Sequence, residues 1–416
     1  MLIEDKFIPT FSSFGWDIEE EKFAKVRKVL ADLRHNRANK SIPIFSIIDS
    51  VDDLDEIIDN SKFFTDVENK TEEFILIGTG GSSLGAEAFI EAIETDKKYN
   101  FYVLDDINSS TLTILLKKIN YKNVKVLAIS KSGNTLETIS LLLIICEWLQ
   151  SNRQDLSNKV MVMSDVENIK KKNLILDLAK LKNIKTIKHI SNIGGRFSSL
   201  TSTGLLPAVI MGADPYAIRE SSQKTLDFIL EDKNFRMLGS SLFIDKTINV
   251  KKLNCVISYG DFLAPMVRWY RQLWAESLGK KGQGNFFISA EGTKDQHSQL
   301  QMWLDGPNIG LYTFLVSNQK NKYPNIPDFE SAPWLSNYAL PDLLNIMAIS
   351  TYDSLKEKNR PVRMINIPNR SVESIASLMT IYLVEVLLVA KLLNVNAYDQ
   401  PAVEDIKVNT LSRLNN

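Results

Sequence analysis

Short apolar, β-rich runs alternate along this chain with longer helical patterns. FILIGTG (74–80) precedes SLGAEAFIEAIE, VKVLAIS (124–130) precedes TLETISLLLIICEWLQ, and VMVMSD (160–165) follows. That order predicts a parallel sheet with helical crossovers. It starts again with CVISYG (255–260) before FLAPMVRWYRQLWAESLGK, then LYTFLV (311–316), then VRMINIP (362–368) before a long apolar helix. Two α/β domains follow as the simplest reading, joined near PYAIRESSQKTLDFILEDKNF (215–235), which reads as a polar helical connector.

At 416 residues with 44% apolar side chains, the chain is long enough for two or three domains with ample cores. Forty-nine basic residues balance 50 acidic ones, so nothing pulls the whole chain towards nucleic acid or an anionic membrane. Recognition of a charged ligand must be local. The two cysteines, Cys146 and Cys255, sit in apolar runs and read as buried thiols of a reducing compartment. The N-terminus MLIEDKFIPTF is acidic early and does not read as a secretory signal; a cytoplasmic protein is expected. IASLMTIYLVEVLLVAKLLN (375–394) is interrupted by Glu385 and Lys391, which leaves too short a charge-free stretch for a bilayer and predicts a buried core helix.

The turn ISKSGNTLET (129–138) concentrates hydroxyls, an amide, Lys131 and Gly133 where a strand ends and a helix begins. Asn134 or Thr135 is placed to cap that helix and Glu137 to complete a capping box. Capping uses only two of these groups. The backbone N–H groups of a helix start, joined by hydroxyls, suit a phosphate. A well-capped polar loop would explain this turn if it stood alone, but IGTGGSSLG (77–85) is a second one. Its spacing approaches the dinucleotide fingerprint, and Asp105 and Asp106 follow about twenty residues on, so a nicotinamide reading stays open on this motif alone. Ser83 stands where the last glycine of that fingerprint belongs. Two serine-rich turns in one domain fit a single compact phosphate better. A third turn, SNIGGRFSSLTSTG (191–204), sets Arg196 after two glycines, either as a surface arginine on a bulge or as a fixed charge for an anion or oxyanion.

With IGTGGSSLG, ISKSGNTLET, GGRFSSLTSTG, RQLWAESLGK, EGTKDQHSQLQ and YDQPAVEDIK in this order from residue 77 to residue 407, the chain resembles the glucose-6-phosphate isomerase family. The resemblance implies two sugar-isomerase (SIS) domains, each a parallel sheet flanked by helices in three layers, and a homodimer with a shared active site. On that basis residues 1–45 are expected as an N-terminal helical segment, 46–215 and 216–395 as the two domains, and 396–416 as a C-terminal helix. It assigns Gly81, Ser82, Ser130, Lys131, Ser132 and Thr135 to the substrate and its phosphate, Arg196 to the C1 and C2 oxygens, and Gln272 and Gln400 to the sugar. Glu276 matches the catalytic base, and His297 and Lys407 match the residues that open the ring, His297 reaching a partner's site.

The residue types suit that chemistry in their own right. Exchanging an aldose for a ketose needs one base that removes a proton beside a carbonyl and returns it next door. Glu276 lies four residues after Gln272, on one helix face, near an end that Gly279 is expected to terminate. The negative end of the helix dipole disfavours its ionised form, while Lys280 and Lys281 oppose that effect; a solvated charge on an amphipathic helix is the plainer alternative. Ring opening needs an acid and base near neutrality, which suits histidine. His35 and His189 read as solvated or structural, leaving His297. Lys407 has an ordinary alternative as the helical partner of Glu404. The expected function is a redox-neutral interconversion of glucose 6-phosphate and fructose 6-phosphate through an enediolate, with no metal or nucleotide cofactor and no nucleic-acid or membrane partner. An isomerase that also takes mannose 6-phosphate, or a non-catalytic sugar-phosphate sensor, are the alternatives.

Overall fold

The computed structural model describes residues 9–11, 23–65, 71–94, 99–167, 172–231, 252–317 and 323–414. Most of the N-terminal stretch read above for a signal lies outside them, as does the end of the 215–235 segment. Among the described residues ten strands form two five-stranded sheets: β1 (Thr10–Phe11), β2 (Glu73–Ile77), β3 (Asn100–Leu104), β4 (Val124–Ile129), β5 (Val160–Ser164), β6 (Lys185–Lys188), β7 (Leu253–Tyr259), β8 (Phe286–Gly292), β9 (Gly310–Ser317) and β10 (Val362–Ile367). The first sheet has the order β3-β2-β4-β5-β6 and is parallel throughout. The second has the order β1-β10-β9-β7-β8; it is parallel except for β1, a two-residue antiparallel edge strand on β10 that the sequence patterns do not reveal.

Burial explains why the strands read as continuous apolar runs. Along β2, Phe74 and Leu76 point into one core, while Ile75 and Ile77 point into another, as the two-residue period of a strand covered on both faces requires. The first of these cores also takes Val256 of β7, Leu315 of β9 and Ile365 of β10. The inner faces of both sheets therefore share one continuous core. Separate cores cover the outer faces, one under the helices Ser109–Lys118 and Leu136–Ser151, the other under Leu340–Glu357.

The helix Val372–Leu393 runs through the shared core. It is apolar and long enough to cross a membrane, but 89% of its most apolar window is buried inside the protein, which makes it the core helix expected. The helix Pro215–Ile229, expected as a polar connector, is no solvent-facing linker: it packs on Val372–Leu393. Its hydroxyl residues are buried in hydrogen bonds, with Ser221 Oγ donating to Glu373 O at 2.9 Å and Thr225 Oγ1 pairing with Ser377 Oγ at 2.9 Å, while Glu220, Gln223, Lys224 and Asp227 stay exposed. Arg219, also buried, bonds the Asp53 carboxylate through both of its amino groups at 3.1 Å. Hydroxyl-rich sequence here marks helix–helix contact. Cys146 and Cys255 are both buried and unpaired, and burial raises the Cys146 thiol to about 11.

Candidate active site

In the first sheet the chain leaves β2 for β3 on one side and places β4 on the other, so the carboxyl ends of β2 and β4 flank a topological switch point where a crevice opens. Both serine-rich turns lie there. After β2 the chain makes a tight turn at Gly80–Ser82 and enters the helix Leu84–Ala92; after β4 it passes through 130–135 into the helix Leu136–Ser151. Two glycines are indispensable. A Cβ on Gly81 would lie 2.2 Å from the carbonyl carbon of Gly195, so only glycine lets the β2 turn rest directly on the turn that carries Arg196. Gly133 has φ +66°, and a Cβ there would strike the side chain of Asn173.

Thr135 occupies the cap position of Leu136–Ser151, but its side chain makes no capping bond, and the expected capping box does not form. Its hydroxyl instead pairs with Ser130 Oγ at 3.0 Å. Asn134 ties the turn to the neighbouring loop, accepting from Leu174 N at 3.2 Å and donating to Lys172 O at 2.6 Å. This leaves the helix start facing the crevice free of an internal cap. Lys131 donates to Ile193 O at 2.8 Å, and burial lowers its pKa, with Asp165 acting in the opposite direction.

Gly81, Ser82, Lys131, Ser132, Thr135, Arg196, Gln272, Glu276, Gln400 and Lys407 line one cavity of about 430 Å³. Two expected residues do not. Ser130 is buried behind its turn, where its hydroxyl accepts from Gly133 N at 3.1 Å. His297 is exposed, at the end of the short turn Lys294–Gln296, and is absent from the lining. Asp105 and Asp106, the pair that kept a nicotinamide site open, are exposed and also absent from it. Asp165, Asn173 and Tyr398 line the cavity without having been singled out. Asp165 was findable, since it follows a buried strand at its carboxyl end; Tyr398 lies within YDQPAVEDIK, and nothing local distinguishes it.

The end of the cavity around Glu276 is organised by Arg196, which is 3% exposed and uses all its nitrogens. Nε donates to Ser277 Oγ at 2.9 Å, Nη1 to Gln400 Oε1 at 2.6 Å, and Nη2 to the carbonyls of Ala397 and Asp399 at 2.6 and 2.9 Å. Nη1 also reaches Glu276 Oε2 at 3.2 Å. Burial lowers the arginine pKa and the Glu276 charge raises it in part. The other carboxylate oxygen of Glu276 accepts from Gln272 Nε2 at 3.0 Å, one turn earlier on the helix Ala264–Leu278. That helix ends at Gly279, whose N–H donates to Ala275 O at 3.0 Å. Lys280 pairs with Asp399 at 2.9 Å, so the strap 396–400 is gripped from two sides before it enters the helix Pro401–Leu414 that carries Lys407. The side chain of Glu404 lies outside the described residues. His189 is not solvated; it is buried.

One end of the cavity thus offers hydroxyls, a lysine and two helix starts to an anion, and the other a carboxylate between an arginine and an amide. The phosphoglucose isomerase family model matches residues 34–412. A glucose-6-phosphate isomerase of Thermus thermophilus is 30% identical, the match covering 82% of this chain and 84% of the relative. The crystal structure of a hypothetical protein from the same species superposes with a TM-score of 0.81 at 28% identity, covering 94% of both chains. A glucose-6-phosphate isomerase of Chlamydia trachomatis, at 18% identity, shares the fold with a TM-score of 0.72 over 87% of this chain and 73% of its own. By the extent of these matches and the motifs gathered in its cavity, this chain belongs to the phosphoglucose isomerase family.

Proposed function

We propose that the chain interconverts glucose 6-phosphate and fructose 6-phosphate, a step shared by glycolysis and gluconeogenesis, by ring opening and proton transfer through a cis-enediolate. One observation carries the reading: Glu276, fixed between Arg196 and Gln272, lies in the same cavity as the two serine-rich turns. The phosphate binds across Ser82, Lys131, Ser132 and Thr135 at the two helix starts, with Gly81 allowing close backbone approach and Ser130 holding Thr135 from behind. The carbons to be exchanged then lie towards Glu276.

Glu276 takes the proton from C2 of the aldose, or C1 of the ketose, and returns it to the neighbouring carbon. Arg196 stabilises the negative charge that grows on the C1 and C2 oxygens, since a fixed guanidinium needs no reorganisation as charge develops. Its other bonds keep it in place. Gln272 and Gln400 orient the sugar. Lys407 serves ring opening together with His297, which reaches the cavity of a second copy in a homodimer; its exposure outside its own cavity supports that division of labour.

Fructose 6-phosphate in deuterated water, followed by NMR, tests this reading. The expected product is glucose 6-phosphate carrying deuterium at C2. No glucose 6-phosphate, with the host isomerase excluded, would overturn it.

A further inference from the structure

The helix Ala264–Leu278 presents Gln272 and Glu276 to the cavity and carries a buried polar anchor on its other side. At 100° per residue, Tyr270 points roughly 160° away from Gln272 and 120° away from Glu276. Its ring is completely buried, stacked on Tyr382 with centroids 3.6 Å apart and edge-on to Phe287 at 5.2 Å. Its hydroxyl donates to Glu385 Oε1 at 3.1 Å. Burial and the Glu385 charge keep this phenol protonated, so it donates to the carboxylate.

Glu385 sits mid-way along Val372–Leu393, without solvent exposure. Both of its oxygens accept from Arg363 of β10, through Nη1 and Nη2 at 3.0 Å each. Arg363 Nε donates in turn to Thr313 Oγ1 of β9 at 2.7 Å. Two neighbouring strands, the core helix and the helix bearing Glu276 are thereby joined by one chain of directional bonds. An apolar core of equal volume would serve stability as well or better, because desolvating an ion pair costs much of what its attraction returns. What the polar chain adds is a single geometry: apolar side chains tolerate small rotations of a helix, whereas a hydroxyl-to-carboxylate bond does not.

We propose that Tyr270, Glu385 and Arg363 are positioning residues for isomerisation, setting the rotation of the helix Ala264–Leu278 so that the Glu276 carboxylate stays between Arg196 and Gln272. This rests on the reading of Glu276 as the base. A displacement of the carboxylate well under the length of a bond costs rate while leaving phosphate binding, on the turns of the other sheet, untouched.

Tyr270→Phe keeps the ring stack and removes only the hydroxyl. The expected result is a fall in kcat of about ten- to a hundredfold, with unchanged KM for fructose 6-phosphate, an unchanged inhibition constant for inorganic phosphate, and full folding by circular dichroism. The apolar pair Arg363→Met with Glu385→Leu removes the chain of bonds without stranding a charge; it should fold and lose turnover in the same way. Wild-type kcat in Tyr270→Phe overturns the inference, whatever its melting temperature. A fall in kcat matched by equal weakening of KM and phosphate inhibition marks general loosening and overturns it too. If the double variant does not fold, Tyr270→Phe decides alone. Near-normal turnover by Glu276→Gln, measured alongside, would instead reject the underlying reading of the base.

Discussion

Arg196 and Glu276 meet at 3.2 Å with unequal access to the cavity: the guanidinium side chain is 2% exposed and the carboxylate side chain 28%. The arginine is built into the wall, and the glutamate is left reachable. Replacing Arg196 by lysine keeps the charge but gives up the planar fork that serves Ser277, Gln400 and the carbonyls of Ala397 and Asp399 at once. Steady-state assays of Arg196→Lys should show kcat/KM lower by about 10²–10³-fold, the scale of losing a preorganised oxyanion donor. Retention of more than half the activity would show that charge alone suffices and that the fork is incidental.

Glu276→Gln separates the two halves of the chemistry. The amide fits the same space between Arg196 and Gln272 but cannot take a proton, so isomerisation should slow by about 10²–10⁴-fold. Ring opening is assigned to His297 and Lys407 and should survive. The variant is expected to speed exchange between the anomers of glucose 6-phosphate while no longer exchanging the C2 proton with deuterated solvent. Loss of both activities together would mean that Glu276 also serves ring opening.

The 3.0 Å contact between Ser130 and Thr135 refines what the turn proposed to hold the phosphate should do under mutation. Thr135→Ala removes a hydroxyl from the cavity lining, whereas Ser130→Ala removes the group behind it. Thr135→Ala should weaken binding of inorganic phosphate with little change in kcat, because the phosphate is held alike in ground and transition states. Ser130→Ala should weaken it too, by freeing Thr135, and the double variant should fall short of the summed effects. Titration by calorimetry distinguishes this; strict additivity would make the two hydroxyls independent ligands.

Much of the architecture was legible because parallel strands covered on both faces must read as apolar runs, and VKVLAIS and VMVMSD do. β1 was not, since two residues carry no period, and neither was β8, whose FFISAEG mixes apolar with polar residues because its side chains are mostly half-buried. The hydroxyls of Pro215–Ile229 misled for a physical reason: serines and threonines are polar as residues, yet bonded to backbone carbonyls they pack between helices. At the site, the cavity-facing hydroxyls follow from their place at helix starts. The supporting role of Ser130 does not, because a strand-end serine can face either way. Ser277 was equally hidden; its bond to Arg196 joins positions 81 residues apart.

If His297 completes the site of a second copy, activity should be recoverable from two inactive chains. Glu276→Gln and His297→Ala protomers, mixed and allowed to exchange, should form heterodimers in which one cavity has lost both groups and the other neither. About a quarter of the cavities in a fully exchanged equimolar mixture would then be intact, by random pairing of exchangeable subunits. Differently tagged protomers, purified through both tags, give the direct assay. Heterodimers without activity would confine His297 to its own chain or remove it from the mechanism.

His189 makes the fold itself pH-dependent. The ring is fully buried, Nδ1 donates to Ile190 O at 3.0 Å, and Nε2 has no partner among the described residues. Burial and the nearby Lys131 charge, only partly offset by the Ile190 carbonyl and Asp165, lower its pKa from 6.5 to about 4. The imidazole is therefore neutral in the folded protein well below the pH at which an unfolded chain takes up a proton. For a base whose folded pKa is depressed, stability is complete above 6.5 and falls as pH drops towards 4, because only the unfolded state is charged in that window. The loss from this one group amounts to about 3 kcal/mol by pH 4. His189→Asn keeps a donor for Ile190 O and cannot titrate. Urea unfolding at pH 7.5 and pH ~4.5 should show a smaller loss of stability in the variant than in the wild type; equal losses would assign the acid sensitivity to carboxylates elsewhere.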